Sequence, residues 1–317
     1  MPESPCLVLV DGSASLYRAF FALPPLSNSR GLPTHAVLGF TTMLLRLLRD
    51  EEPQAVAVAF DGPELTARHR EFPEYKAQRP ATPDSLIQQI PCVHRLLGAM
   101  RVPILMVPGE EADDILATMA VRAASRGYVV RVVTSDKDLL QIVGERIVVR
   151  DTQKQQTTGP AEVVSRYGVP PECMPDLLAL MGDSSDNLPG VPGIGAKTAR
   201  DLLQRFGSLE SVLDRLTEVE RPKLQAALQA HAEQARLCKR LATIRTDLPL
   251  PWEVEALRRC EPDTAALLSL FRELEFTRLL QQFSQPSLNG MTNDQWRMAR
   301  RRCRCFIGHW KLVIGHL

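Results

Sequence analysis

No run of about 18 apolar residues occurs in the 317-residue chain, so the sequence offers no candidate membrane span. The first ten residues lack a basic segment and pass straight into a strand-like run, which argues against a secretory leader. Seven cysteines are scattered without a Cys-x-x-Cys pair, a pattern of reduced thiols in a cytosol and not of a disulfide framework. Internal repeats and low-complexity stretches are absent. Net charge is nearly absent too, at +1, but it is unevenly spread. Residues 286–317 hold six Lys/Arg against Asp294 alone, a surplus of +5 that leaves −4 for the rest. An acidic body is a poor partner for a polyanion unless its acids are clustered and neutralised by cations.

What is present reads as an ordinary globular chain, 44% apolar and 24% charged, long enough for two domains. Short apolar runs at 6–10, 55–60, 103–107, 128–133 and 146–149 alternate with helix-like segments at 35–49, 84–100 and 111–126. This alternation predicts an α/β fold with a mostly parallel, doubly wound sheet. In such a sheet the ligand crevice lies outside the carboxyl ends of the strands. Three runs end in acid there: Asp11, Asp61, and Asp136 with Asp138. For any single one, a turn former or helix cap accounts equally well.

A fourth cluster, Glu110-Glu-Ala-Asp-Asp114, opens a helix whose apolar face is Ile115, Leu116, Met119 and Ala120. Acids do complement a helix N-terminus, but four in five residues exceed that need and repel one another. Asp183 and Asp186 sit three apart in the polar first half of Gly182-Asp-Ser-Ser-Asp-Asn-Leu-Pro-Gly-Val-Pro-Gly-Ile-Gly-Ala-Lys-Thr198. With Glu110 set aside as outward-facing, nine candidate ligands remain: Asp11, Asp61, Glu111, Asp113, Asp114, Asp136, Asp138, Asp183 and Asp186. Nine carboxylates in one crevice cannot all ionise without cations. Oxygen-only donors, with no His or Cys among them, favour Mg²⁺ or Mn²⁺ over zinc. Two such ions suit phosphodiester hydrolysis, one acidifying a water and both flanking the phosphate.

Two further stretches suggest nucleic acid. Residues 68–83 interleave Arg68, Arg70, Lys76 and Arg79 with Phe72 and Tyr75, a mixture suited to a single strand but equally to a solvated connector. The Gly193-Ile-Gly195 turn feeds a helix through Lys197, offering free N–H groups and a positive helix end to a phosphate. Amphipathic segments then continue through residues 262–283, so 175–285 reads as a helical second domain after a nuclease-like domain at 1–174.

In this order the motifs Val-Asp-Gly (10–12), Phe-Asp-Gly (60–62), Tyr-Lys-Ala-Gln-Arg-Pro (75–80), Glu-Ala-Asp-Asp (111–114), Thr-Ser-Asp-Lys-Asp (134–138) and the 182–199 segment closely resemble the 5′-nuclease domain of bacterial DNA polymerase I, within the flap-endonuclease family. The resemblance runs from about residue 7 to 283. It implies a PIN-like sheet with a helical arch, then a helical domain containing a helix-hairpin-helix. It implies the same nine metal ligands. Arg68, Lys76 and Arg79 would be arch residues, with Lys76 positioning the scissile phosphate and Tyr75 contacting DNA. Gly193, Gly195 and Lys197 would grip the duplex, where K⁺ could also bind. The implied activity is Mg²⁺-dependent 5′→3′ exonuclease and flap endonuclease action on 5′ ends, 5′ flaps and RNA–DNA primer junctions. A cytoplasmic, nucleoid-associated monomer working beside a separate polymerase would fit. Two other readings stay open: a helix-hairpin-helix DNA glycosylase, and a non-catalytic DNA-junction binder. The tail at 286–317 resembles nothing in the family, and Cys303, Cys305 and His309 form a poor zinc set there.

Overall fold

The computed structural model describes residues 4–284; the tail at 286–317 lies outside them. Six strands form one sheet in the order β3-β2-β1-β4-β5-β6. They are β1 (Cys6–Asp11), β2 (Ala55–Ala59), β3 (Ile104–Leu105), β4 (Val129–Val133), β5 (Ile147–Asp151) and β6 (Gln156–Thr158). All neighbours run parallel except β6, which returns antiparallel along β5. Sequence leads to five strands; β6, Gln-Thr-Thr, has too little apolar character to announce itself.

Strand pleating divides the core in two. Leu7, Leu9, Ala55 and Ala57 point into one cluster, and Val8, Val10, Val56 and Val58 into the other. Both faces are covered, so β1 and β2 are buried nearly throughout, as a parallel sheet requires. The Val8 side packs against α1 (Gly12–Ala22), α2 (His35–Glu51) and α5 (Ile90–Met100) through Leu16, Phe40, Leu44, Val93 and Leu96. Two short helices, α3 (Ala67–Glu71) and α4 (Asp84–Ile87), flank turns in the segment expected as a helical arch. The helix expected over 84–100 is split between α4 and α5, with Pro91 near the start of α5.

The Leu7 side packs against α6 (Ala112–Ser125) and runs without interruption into the helical region. That region comprises α7 (Pro160–Tyr167), α8 (Met174–Met181), α9 (Ala196–Phe206), α10 (Leu209–Asp214), α11 (Pro222–Ala230) and α12 (Ala232–Ala242). The last helices, α13 (Thr264–Glu273) and α14 (Thr277–Ser284), were expected to close the second domain. They turn back instead: Leu267, Leu270, Phe271 and Leu279 join the cluster around Val8 and Phe40. Glu275, at φ 60, makes the break between them.

Candidate metal centre and nucleic-acid interface

The sheet order reverses at β1, between β2 and β4, and the acids gather at the carboxyl ends there. Asp11 ends β1 and caps α1: its Oδ1 accepts from the Ala14 N–H at 2.9 Å and its Oδ2 from the Thr134 hydroxyl at 2.8 Å. Asp61 follows β2 and its Oδ1 accepts from the Ala112 N–H, tying that strand end to the start of α6. Asp136 follows β4; its amide binds the Thr134 hydroxyl and its Oδ1 accepts from the Asp138 N–H. Asp113 lies in the first turn of α6 and interacts electrostatically with Asp136, Asp11 and Asp61. The cap reading of Asp11 thus holds, and its carboxyl also feels Asp61 and Asp136.

A second acid group stands alongside. Oxygens of Asp138, Asp183 and Asp186, all buried, lie within 4.8 Å of one another. The loop carrying the last two closes through paired amide bonds between Asp183 and Leu188. Glycine is required in it: a Cβ on Gly190 would lie 2.2 Å from the Gly182 amide nitrogen, and both residues have positive φ.

Burial and like charge push these acids up. Desolvation, then Asp61 and Asp136, raise Asp11 to about 6 despite its hydrogen bonds. Desolvation and Asp136 raise Asp138 to about 7, and Asp113 is held well above the usual carboxylate range by the same causes. Glu111 goes the other way: burial would raise it, but Lys76 and Arg68 outweigh that and hold it low. Asp183 is likewise lowered against its burial by Lys137 and Ser185. The Oδ1 of Asp138 is buried without a hydrogen-bond donor. Its nearest cation is the Lys137 ammonium at 3.5 Å, and a buried oxygen without a hydrogen bond among oxygen-only donors fits a hard divalent cation.

The remaining expected residues are placed differently from one another. Lys76, at φ 55, donates to Glu111 Oε2 at 2.6 Å and lies 3.9 Å from Asp186. Arg79 binds Asp186 at 2.9 Å with its side chain half exposed. Tyr75 is only 2% exposed, its hydroxyl donating to Asp186 Oδ2 at 2.9 Å, so no free ring face is offered to a base. That corrects its expected role as a DNA contact. Asp114 and Arg68 also depart from expectation. The two form a forked ion pair at 2.6 and 2.8 Å, with Asp114 also accepting from the Arg245 N–H. Arg68 further donates to the carbonyls of Leu241 and Thr243 at the end of α12. Asp114 is therefore turned from the acid group towards the helical region, because one residue along a helix rotates the side chain by about 100°. Arg68 is a buried strut at the foot of the arch segment, not a free cation.

The Gly193, Gly195 and Lys197 turn is exposed, with Gly193 at φ 82 and open space beside both glycines. Sequence reading missed Arg18 and Lys137. Arg18 bonds the Ser135 hydroxyl and lies 3.7 Å from Asp151, placing a cation at the mouth of the site. Extending a helix through 12–22 would have set Arg18 two turns from Asp11.

Two family descriptions match consecutive parts of the chain: "5'-3' exonuclease, N-terminal resolvase-like domain" over residues 6–168 and "5'-3' exonuclease, C-terminal SAM fold" over 169–265. The chain belongs to the 5′-3′ exonuclease family. The 5′-3′ exonuclease of Aquifex aeolicus is 40% identical over 276 residues, covering 87% of this chain and 94% of that protein. DNA polymerase I of Bacillus caldotenax is 45% identical over 285 residues, 89% of this chain but 32% of that protein. The chain thus spans about a third of the length of that polymerase relative. Among solved structures, the T5 D15 protein co-crystallised with metal ions superposes with a TM-score of 0.66 at 19% identity, over 88% of this chain and all of that one. The catalytic core of Rad2 in complex with DNA substrate gives 0.58 at 19% identity, over 86% and 89%. These two likenesses concern the fold. The family assignment makes the chain a nuclease, and one of its acid groups, Asp138, Asp183 and Asp186, brings its oxygens close enough to hold a divalent metal.

Proposed function

We propose that this 5′-3′ exonuclease family member hydrolyses phosphodiesters at 5′ ends and 5′ flaps of DNA, and at RNA–DNA primer junctions, using two or more Mg²⁺ or Mn²⁺ ions. The observation that carries the reading is the buried Asp138, Asp183 and Asp186 group, whose oxygens lie within 4.8 Å of one another and include an Asp138 oxygen that no hydrogen bond satisfies. Asp11, Asp61, Asp113 and Asp136 would hold one ion. Asp138, Asp183 and Asp186 would hold another, with Glu111 beside Lys76 at the border between them. Bound there, divalent cations supply an acidified water and offset the charge that develops on the phosphate. The chain's own cations do the positioning. Lys76 and Arg79 rest on Glu111 and Asp186, within reach of a phosphate that bridges the two groups. Burial would lower the Lys76 ammonium, but Glu111 and Asp186 hold it charged.

The exposed Gly193–Lys197 turn would hold duplex backbone through N–H groups at the start of α9, with K⁺ a fitting companion ion. A chain that works as a monomer beside a separate polymerase, in the cytoplasm at the nucleoid, is part of the same reading. No helix among the described residues is long and apolar enough to cross a membrane.

Cleavage of a 5′-flap duplex in Mg²⁺ is the decisive assay. Asp113→Asn and Asp136→Asn should each lower turnover by about 10² or more. Full activity in either variant would sink the ligand assignment. Flap binding in Ca²⁺ without turnover in Mg²⁺ or Mn²⁺ would favour a junction-binding module instead.

A further inference from the structure

We propose that Lys137 is a tethered cation that competes for the Asp138, Asp183 and Asp186 carboxylates, making that group the weaker of two divalent-ion sites. The inference rests on the metal reading above and adds a ranking to it. The Lys137 ammonium lies 2.6 Å from Asp183 Oδ2, 3.5 Å from Asp138 Oδ1 and 2.9 Å from the Ser185 hydroxyl. It therefore stands among the oxygens a divalent ion would need. The other group is touched only at longer range, by Lys76 acting on Asp113 and by Lys137 acting on Asp136. Among the described residues, Asp11, Asp61, Asp113 and Asp136 form no ion pair; Asp11, Asp61 and Asp136 instead accept from amides and a hydroxyl.

Two features make the lysine a competitor and not a fixed strut. Its backbone is held, since the Asp138 amide binds Asp136 and the Leu140 amide binds the Lys137 carbonyl. The ammonium consequently cannot leave the neighbourhood. Lys137, however, borders a cleft of about 570 Å³ lined also by Met181, Leu188 and Pro189. A lysine can lay its methylenes along such apolar side chains while keeping its charge in water. Entry of an ion thus exchanges one cation for another at Asp183, with no covalent change, and the lost Lys137–Asp183 pair weakens net binding. Asp186 is also engaged, by Tyr75 and Arg79, so all three acids of this group start partnered by cations.

The test is Mn²⁺ binding to the full chain without nucleic acid, followed by calorimetry and by electron paramagnetic resonance of free Mn²⁺. Wild type should show two affinity classes. In Lys137→Gln the weaker class should tighten by roughly tenfold or more, because a charge at this range shifts a carboxylate's affinity for a proton by about 1–3 powers of ten. The stronger class should not move. Lys137→Met, similar in length and uncharged, should behave alike and guards against a misfolded first variant. An unchanged or weakened second class in both variants overturns the proposal, as does a wild type whose classes have equal affinity. Asp183→Asn separates the two levels of the argument. It should abolish the weaker class, and wild-type binding in that variant would overturn the metal reading itself.

Discussion

Asp113 and Asp114 are neighbours in sequence and face different partners. Asp113 joins the acids at the strand ends, while Asp114 locks Arg68 and the Arg245 amide in a pair whose side chains are 12% and 2% exposed. Removing one member of such a pair strands the other without water. Arg68→Ala should therefore cost about 3–5 kcal/mol, read as a lowered urea midpoint at unchanged denaturant slope. A variant that keeps its stability and loses only turnover would return Arg68 to the phosphate. Position at strand ends was enough to bring Asp11, Asp61, Asp136 and Asp138 to one end of the sheet, because the sheet rule needs only the order of apolar runs. It could not separate Asp113 from Asp114, since both lie in the first helical turn and the partners that decide their roles are far along the chain. Tyr75 was misread for a related reason. Aromatics among cations suggest stacking, but the acids facing that ring come from residues 111 and 186.

The elements were legible wherever period and length agreed. Helices α2 and α6 came out within two residues of expectation, and the five apolar strands were all found. The return of α13 and α14 to the sheet was hidden, because an amphipathic pattern says that a face is covered but not by what. The 182–190 loop shows the opposite case, where local chemistry is strict. Gly190 has φ 64 and backbone of Gly182 where a Cβ would go. Gly190→Ala should destabilise the chain by about 1–3 kcal/mol and loosen Mn²⁺ binding at the Asp183 group, seen together in thermal melts with and without the ion. Gly193→Ala meets open space and carries only backbone strain, about 1 kcal/mol, so its melt should shift less. Equal shifts would refute the close-approach account.

For the whole molecule, the acids act as one reservoir of protons. An unfolded carboxyl titrates near about 4, whereas folded Asp11 and Asp138 hold protons up to about 6 and 7. Across that window the native state binds more protons than the unfolded one, so stability falls as pH rises. The contribution is complete below about 4 and gone above about 7, while Glu111 and Asp183, held below their ordinary values, act in the opposite sense. Metal-free protein in chelator should thus melt at a lower temperature at pH 8 than at pH 5, and Mg²⁺ should remove most of the drop. A metal-free curve that is flat or rising would contradict the clustering. The arch segment bears on this balance. Its Lys76 amide binds the Asp186 carbonyl, Gln78 binds the carbonyls of Ser184 and Ser185, and Asn187 binds the Glu74 carbonyl. The arch segment and the 182–190 loop are therefore stitched into one seam. Under the proposed function, whatever opens the seam for a threaded strand changes ion affinity, and by thermodynamic reciprocity bound ions change the cost of threading by the same factor.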